Sequence, residues 1–192
     1  MSKLFTPVKL GPYSLNHRVV MAPLTRTRAG EGDVPTDLNA TYYSQRASKG
    51  GLIIAEASPI SPGARGYVHT PGIWTTEQAK GWKKIVDAVH EKGGIIFLQL
   101  WHVGRVSHSS FQTDFDFPNL PENERRAVSA SAIAIQGNGV SSTRESVPFE
   151  TPRALLTEEI PRIVEMYKNS AELAKQAGFD GVRIDFFFFF FF

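Results

Sequence analysis

One punctuation recurs three times along this chain. Lys49-Gly50-Gly51 runs into Leu52-Ile53-Ile54-Ala55, and Lys92-Gly93-Gly94 runs into Ile95-Ile96-Phe97-Leu98. Ala177-Gly178-Phe179-Asp180-Gly181 runs into Val182-Arg183-Ile184. A glycine just past a helix takes the left-handed conformation that stops it. A short, continuous apolar run directly afterwards reads as a strand buried on both faces. Helix exits that turn straight into buried strands imply repeated strand–helix units and a parallel sheet, which places the chain in the α/β class. A fourth run, Val19-Val20-Met21-Ala22, opens the series, and Arg183 makes the last run the weakest.

The segments before these exits have helical period. From Thr76 to Lys92, Trp82, Ile85, Val86 and Val89 fall on one stripe, while Lys80, Lys83, Lys84 and Asp87 point elsewhere. Thr75 and Gln78 form a capping box at its start. A second helix is predicted over Glu158 to Ala177, capped by Thr157, with a stripe of Ile160, Ile163, Val164, Tyr167, Ala171 and Ala174. A weaker one runs from Asp37 to Ser48, capped by Thr36. His90, late in its helix, suits the surface or the negative end of the helix dipole.

Two stretches break the rhythm. Residues 3–18 read as a small hairpin around Pro7, Gly11 and Pro12. Residues 109–156, with Pro118, Pro121, Gly137, Gly139, Pro148 and Pro152, are too long for an ordinary connection. Within them Ala127 to Ile135 alternates and suits pairing with a neighbour. Long loops after strands are where α/β enzymes build pockets and lids. Four strands are half of a (β/α)8 barrel, which takes about 250 residues in all; an open four-stranded doubly wound sheet is the alternative. No G-x-G-x-x-G follows a strand, and no G-x-x-x-x-G-K-[ST] occurs.

Composition removes several classes. The chain has 192 residues and no Cys, so a disulfide scaffold, a thiolate-ligated zinc and a catalytic thiol are excluded. A net charge of +2 argues for neither nucleic acid nor a membrane surface. The N-terminus, Met1-Ser2-Lys3-Leu4-Phe5, lacks an apolar signal core, and no apolar run is long enough to span a bilayer, which fits a cytoplasmic protein. Of the 14 Phe, those from Phe186 to Phe192 form one unbroken tail. With no polar face or turn signal it reads as a frameshift or gene-model error, outside the fold.

Chemistry in parallel α/β folds collects at the C-terminal ends of strands. Those ends carry Pro23-Leu24-Thr25-Arg26, Glu56-Ala57-Ser58, Gln99-Leu100-Trp101-His102 and Asp185. Hydroxyl, amide, indole and imidazole groups suit a flat heteroaromatic ligand held by its edge, not a phosphate or a metal. Each has a plainer reading. Thr25 can cap a turn, Gln99 can be a satisfied core amide, and Trp101 can be packing. His102 and His108 are spaced as a metal pair but lack a third ligand. Glu56 and Asp185 form an acid pair only if the fold brings them together.

Read as strings, these residues resemble the Old Yellow Enzyme family, in the manner of 12-oxophytodienoate and N-ethylmaleimide reductases. The resemblance lies in Phe5-Thr6-Pro7, Asn16 through Arg26, Ala55-Glu56-Ala57, Gly66 through Trp74 and Gln99 through Arg105, in order and spacing from residue 3 to 184. It implies that residues 1–185 are the first half of a flavin-binding TIM (β/α)8 barrel, about four βα units. An N-terminal hairpin and a long insertion after the third strand complete it, with residues 186–192 apart. It implies FMN as cofactor, NADPH or NADH as reductant, and reduction of the C=C bond of an α,β-unsaturated carbonyl. By the same resemblance Ala22, Pro23 and Leu24 lie against the flavin and Thr25 bonds its O4 edge. Ala57 offers a main-chain N–H and Gln99 holds the pyrimidine edge. Tyr67 and Trp101 border the substrate pocket, so Thr25, Tyr67 and Trp101 are the expected catalytic set, with no metal. Donors at the ring edge stabilise a reduced, anionic flavin.

The chain departs from the family pattern at Asp185, where a His is expected, followed by a second His or Asn and then Gly-Tyr. The carbonyl-gripping pair, the Tyr proton donor, a flavin-contacting Arg and the FMN phosphate site belong to positions beyond it. Two readings follow. One is an ene-reductase acting on a small enone as monomer or homodimer, its 192-residue form impaired or inactive alone. The other is a non-catalytic half-barrel that self-associates or binds a partner. An aldolase would need a strand-end Lys, which is missing.

Overall fold

The structure, a computed structural model, describes residues 2–112, 116–117, 119–121 and 124–185. The poly-Phe tail lies outside the described residues. The elements are β1 (Val8–Leu10), β2 (Tyr13–Leu15), β3 (Val20–Met21), α1 (Asp37–Ser44), β4 (Leu52–Pro59), α2 (Thr76–His90) and β5 (Ile95–Trp101). There follow β6 (Val128–Ser129), β7 (Asn138–Val140), β8 (Ser146–Pro148), β9 (Arg153–Ala154), α3 (Ile160–Ala177) and β10 (Gly181–Asp185). Four strands form one sheet in the order β10-β5-β4-β3, and every pairing is parallel. Counted as a strand plus its following helix, the described residues hold three full units and a fourth strand.

The three glycine exits do what the sequence implies. Gly50, Gly93 and Gly178 take φ of 65°, 71° and 93°. The stripe of α2 is the heart of the core: Trp82, Ile85, Val86 and Val89 are all buried against Ile53, Ala55, Ile96, Leu98 and Leu100 of the sheet. Each such side chain contributes roughly 1.5–3 kcal/mol by leaving water. Trp82 also satisfies its indole N–H on the Gly72 carbonyl at 3.0 Å and meets Phe179 edge-on. The capping box is present: Thr75 Oγ1 accepts the Gln78 N–H at 3.2 Å, and Gln78 Oε1 accepts the Thr75 N–H at 3.1 Å.

The hairpin β1–β2 closes the N-terminal ends of the strands. Its Tyr13 hydroxyl donates to the Asp180 carbonyl at 2.6 Å, and its ring meets Phe97 edge-on. Asn16 donates through its main chain to Gly50 and through its side chain to Lys49. Asp180 in turn takes the Ile96 N–H and His90 Nε2, each at 2.8 Å, so His90 bonds a neighbouring loop carboxylate and not merely solvent.

Several expectations shift. β3 shortens to Val20 and Met21, which pair with Leu52 and Ile53, and Val19 and Val20 are exposed. α1 ends at Ser44, short of Ser48. α3 begins at Ile160 after a single 3-10 turn over 157–159, and Thr157 does not cap it; Glu159 instead accepts the Leu156 N–H at 2.8 Å. The buried face of α3 is Ser170, Leu173, Ala174 and Ala177, whereas Ile160 and Val164 are exposed. The alternating stretch after Ala127 does pair, through β6 with β9, but over two residues only.

Candidate functional site at the strand C-termini

Glu56, Ala57 and Ser58, and likewise Gln99 and Trp101, lie inside β4 and β5 rather than beyond them. This extends both strands and lines their ends up in register. Ala57 pairs with Gln99, Pro59 with Trp101, Arg183 with Gln99 and Asp185 with Trp101. Ala57, Gln99 and Arg183 therefore form one row across three strands. Gln99 and Trp101 are buried, and the small side chain of Ala57 leaves its own main chain close to that face.

The segment Ala22–Thr25 leaves the same end of the sheet directly after β3. Leu24 is 52% exposed and Thr25 is exposed, so the two present themselves to whatever sits over the strand ends. The segment is tied down one residue later, where the Arg26 N–H donates to Glu56 Oε2 at 2.9 Å. Tyr67, from the loop after β4, stacks on Trp101 with ring centroids 5.9 Å apart and planes 17° from parallel. The fold thus brings Thr25, Ala57, Tyr67, Gln99 and Trp101 to one end of the sheet. Asp185 joins them through its backbone pairing with Trp101.

Glu56 is fully buried. Its Oε1 accepts from the Tyr43 hydroxyl at 3.2 Å and from Asn39 Nδ2 at 3.4 Å, and its main-chain N–H donates to the Tyr43 oxygen at 2.8 Å. Burial pushes its carboxyl above the usual range, and the Arg26 N–H, the Tyr43 hydroxyl and Asn39 oppose that. Asn39 and Tyr43 lie on α1, so the Glu56 carboxylate is held between that helix and the sheet. Tyr43 is raised well above its ordinary value by its own burial and by the adjacent Glu56. Sequence reasoning missed Asn39 and Tyr43 altogether; the available signal was two polar groups one turn apart on a short helix preceding a strand with an internal Glu.

His102 and His108 each accept a main-chain N–H two residues on. His102 Nδ1 accepts the Gly104 N–H at 3.0 Å, while its Nε2 is enclosed, and burial lowers its basicity. His108 Nδ1 accepts the Ser110 N–H at 3.1 Å. Among the described residues no three potential ligands gather for a metal. Arg105 organises the long loop after β5, bonding Ser129 Oγ, Ser131 Oγ and the Ile133 carbonyl. Also among the described residues, no helix is long and apolar enough to cross a membrane.

The chain is similar to known proteins over most of its length. A putative 12-oxophytodienoate reductase 11 of Oryza sativa subsp. japonica is 50% identical over 181 residues, covering 94% of this chain and 47% of the relative. The structure of morphinone reductase in complex with tetrahydroNAD superposes with a TM-score of 0.83 at 52% identity, over 96% of this chain and 49% of that one. The old yellow enzyme homologue from Zymomonas mobilis gives a TM-score of 0.84 at 42% identity, over 95% and 48%. The chain spans about half the length of the relatives it matches. Residues 3–186 match the family model as well, and the chain belongs to the NADH:flavin oxidoreductase / NADH oxidase family.

Proposed function

We propose that this chain forms the flavin-edge half of an FMN-dependent ene-reductase, the first half of a (β/α)8 barrel. The observation that carries the reading is the row of Ala57 and Gln99 in register, with the Thr25 segment tethered beside it by the Arg26–Glu56 bond. The donor set fits a flavin ring. Gln99 offers an amide that both donates and accepts, Thr25 offers a hydroxyl, and Ala57 offers a main-chain N–H beside a side chain too small to block a flat ring. Bound FMN supplies hydride chemistry, by which reducing equivalents from NADPH or NADH end on the β-carbon of an α,β-unsaturated carbonyl. The chain's own residues do the rest. Ala22, Pro23 and Leu24 back the ring, Thr25 and Gln99 hold its edge, and Tyr67 and Trp101 wall the small enone. Edge donors are the device that favours a negatively charged ring.

Fluorescence titration with FMN tests the reading. Saturable quenching is expected from the wild type, and Gln99→Ala is expected to weaken it by about ten-fold, the worth of one buried hydrogen-bonding side chain. Turnover of a cyclic enone is expected of the family-length protein and little or none of residues 1–192 alone. No FMN binding by either would overturn the proposal.

A second reading has its own observation. The outer strands β3 and β10 expose Val20 and Ile184, with Val19 exposed just before β3, and have one sheet neighbour each among the described residues. A half-barrel that self-associates would cover them, and sedimentation as a dimer without FMN would favour it.

A further inference from the structure

The parallel ladder of β4 and β5 slips between Ile54 and Ala57. Ile54 pairs with Phe97 and Ala57 pairs with Gln99, so β4 spends one residue more than its partner. Such a bulge re-aims a side chain out of the simple in–out alternation. Glu56 sits in it, between the sheet and α1.

A fully buried carboxylate is costly unless its oxygens are satisfied. Those of Glu56 are met by three neutral donors: the Arg26 main-chain N–H, Asn39 Nδ2 and the Tyr43 hydroxyl. Asn39 is itself fixed, since its Oδ1 accepts the Thr36 N–H at 2.9 Å at the start of α1. The carboxylate therefore bridges a rigid helix and the loop that leaves β3.

That loop needs an anchor. Thr27, the residue after the anchored N–H, has a φ of 52°. The left-handed region is costly for a β-branched side chain and persists where surrounding bonds impose it. Here Arg28 Nη1 folds back onto the carbonyls of Arg26 and Thr27, each at 3.0 Å, while Glu56 holds the Arg26 N–H. Thr25 directly precedes the held N–H, and Ala57 directly follows Glu56 in the chain. One carboxylate thus stands between two of the residues assigned to the flavin edge.

We propose that Glu56 is a positioning residue: by holding the Arg26 N–H it fixes Thr25 relative to Ala57 and so sets the grip on the ring edge. The proposal rests on the flavin reading above, and its test separates the two. Glu56→Gln keeps the shape and turns one acceptor oxygen into a donor; Tyr43→Phe keeps Glu56 and removes one donor. Amide hydrogen exchange at Arg26 and Thr27, measured without flavin, reads the anchor. FMN affinity and the flavin's visible spectrum read the consequence, which a merely structural role would not move.

Glu56→Gln is expected to speed exchange at Arg26 and weaken FMN binding, each by about ten-fold, because the amide sets an NH2 donor against the Arg26, Asn39 or Tyr43 donors. It should also shift the spectrum while far-ultraviolet circular dichroism stays unchanged. Tyr43→Phe should act in the same direction, less strongly, and decides the matter if the Gln variant does not fold. Wild-type exchange and spectrum in both variants would overturn the proposal and leave the flavin reading standing. No FMN uptake by either the wild type or the family-length protein would overturn both.

Discussion

Tyr67 and Trp101 lie ring over ring, 5.9 Å between centroids and 17° from parallel, one from the loop after β4 and the other at the last position of β5. The stack is supported from beneath. The Val103 N–H reaches the Ala64 carbonyl at 3.3 Å, and the Ser107 hydroxyl reaches the Arg65 carbonyl at 2.7 Å. Gly66 makes the approach possible, because a Cβ there would meet the Val106 carbonyl oxygen. The loop after β4 is thereby laid against the end of β5, which makes one wall from two segments.

Aromatic pairs in offset stacks contribute about 0.5–1.5 kcal/mol beyond the area they bury. A double-mutant cycle of Tyr67→Leu and Trp101→Leu, read by urea unfolding, is therefore expected to show coupling of about 1 kcal/mol. Additive losses would mean that the two rings are neighbours without an energetic partnership.

Gly81 lies in the middle of α2, where an alanine would normally help. The gain in helix propensity is about 1 kcal/mol. A Cβ at Gly81, however, would come within 2.9 Å of the Pro35 ring, 3.0 Å of the Pro35 carbonyl oxygen and 3.0 Å of Val34. Overpacking of this kind costs about 1–3 kcal/mol, and a carbonyl on a short segment entering α1 yields poorly. The overpacking wins, so Gly81→Ala is expected to lower the thermal midpoint. A raised midpoint would show that the 34–35 segment moves aside freely.

The elements that were legible in the sequence are those whose evidence is local. The stripe of α2, its capping box and the three glycine exits each need only neighbours within a few residues, and each appears in the structure. The face of α3 was legible in its second half only. Of the stripe read from sequence, Ala174 is in the core and Tyr167 and Ala171 pack against it, while packing against α2 and the sheet adds Leu173 and Ala177 and leaves Ile160 and Val164 outside. The strand-end residues were legible by type and by family resemblance. The bulge at Glu56 was not, because a slip of register depends on what β5 offers opposite, which no period in β4 records. The Tyr67–Trp101 stack is long-range for the same reason.

The ion pair of Arg153 and Glu159 gives a pH dependence whose sign is fixed. Arg153 Nη1 and Nη2 donate to the two carboxylate oxygens at 2.7 and 2.9 Å, and the Leu156 N–H adds a third bond at 2.8 Å. Hydrogen bonding to Arg153 holds the Glu159 carboxyl below its ordinary 4.5 although burial pulls the other way. A depressed carboxyl contributes stability above the unfolded value and loses it as pH falls through the folded one. With solvent screening allowed for, Glu159→Gln is expected to cost about 1 kcal/mol at pH 7. That difference should hold above the ordinary carboxyl range and close as pH falls through the depressed folded value, where the wild-type carboxylate protonates as well. Glu56 acts with the opposite sign: burial raises its carboxyl, so its contribution is largest in acid and falls as pH rises through the raised value. Both proteins carry Glu56, so its contribution cancels in the difference. Urea unfolding of wild type and Glu159→Gln at pH 7, 5 and 3.5 makes the measurement, and a gap that is the same at all three would remove Glu159 as the ionised partner of Arg153.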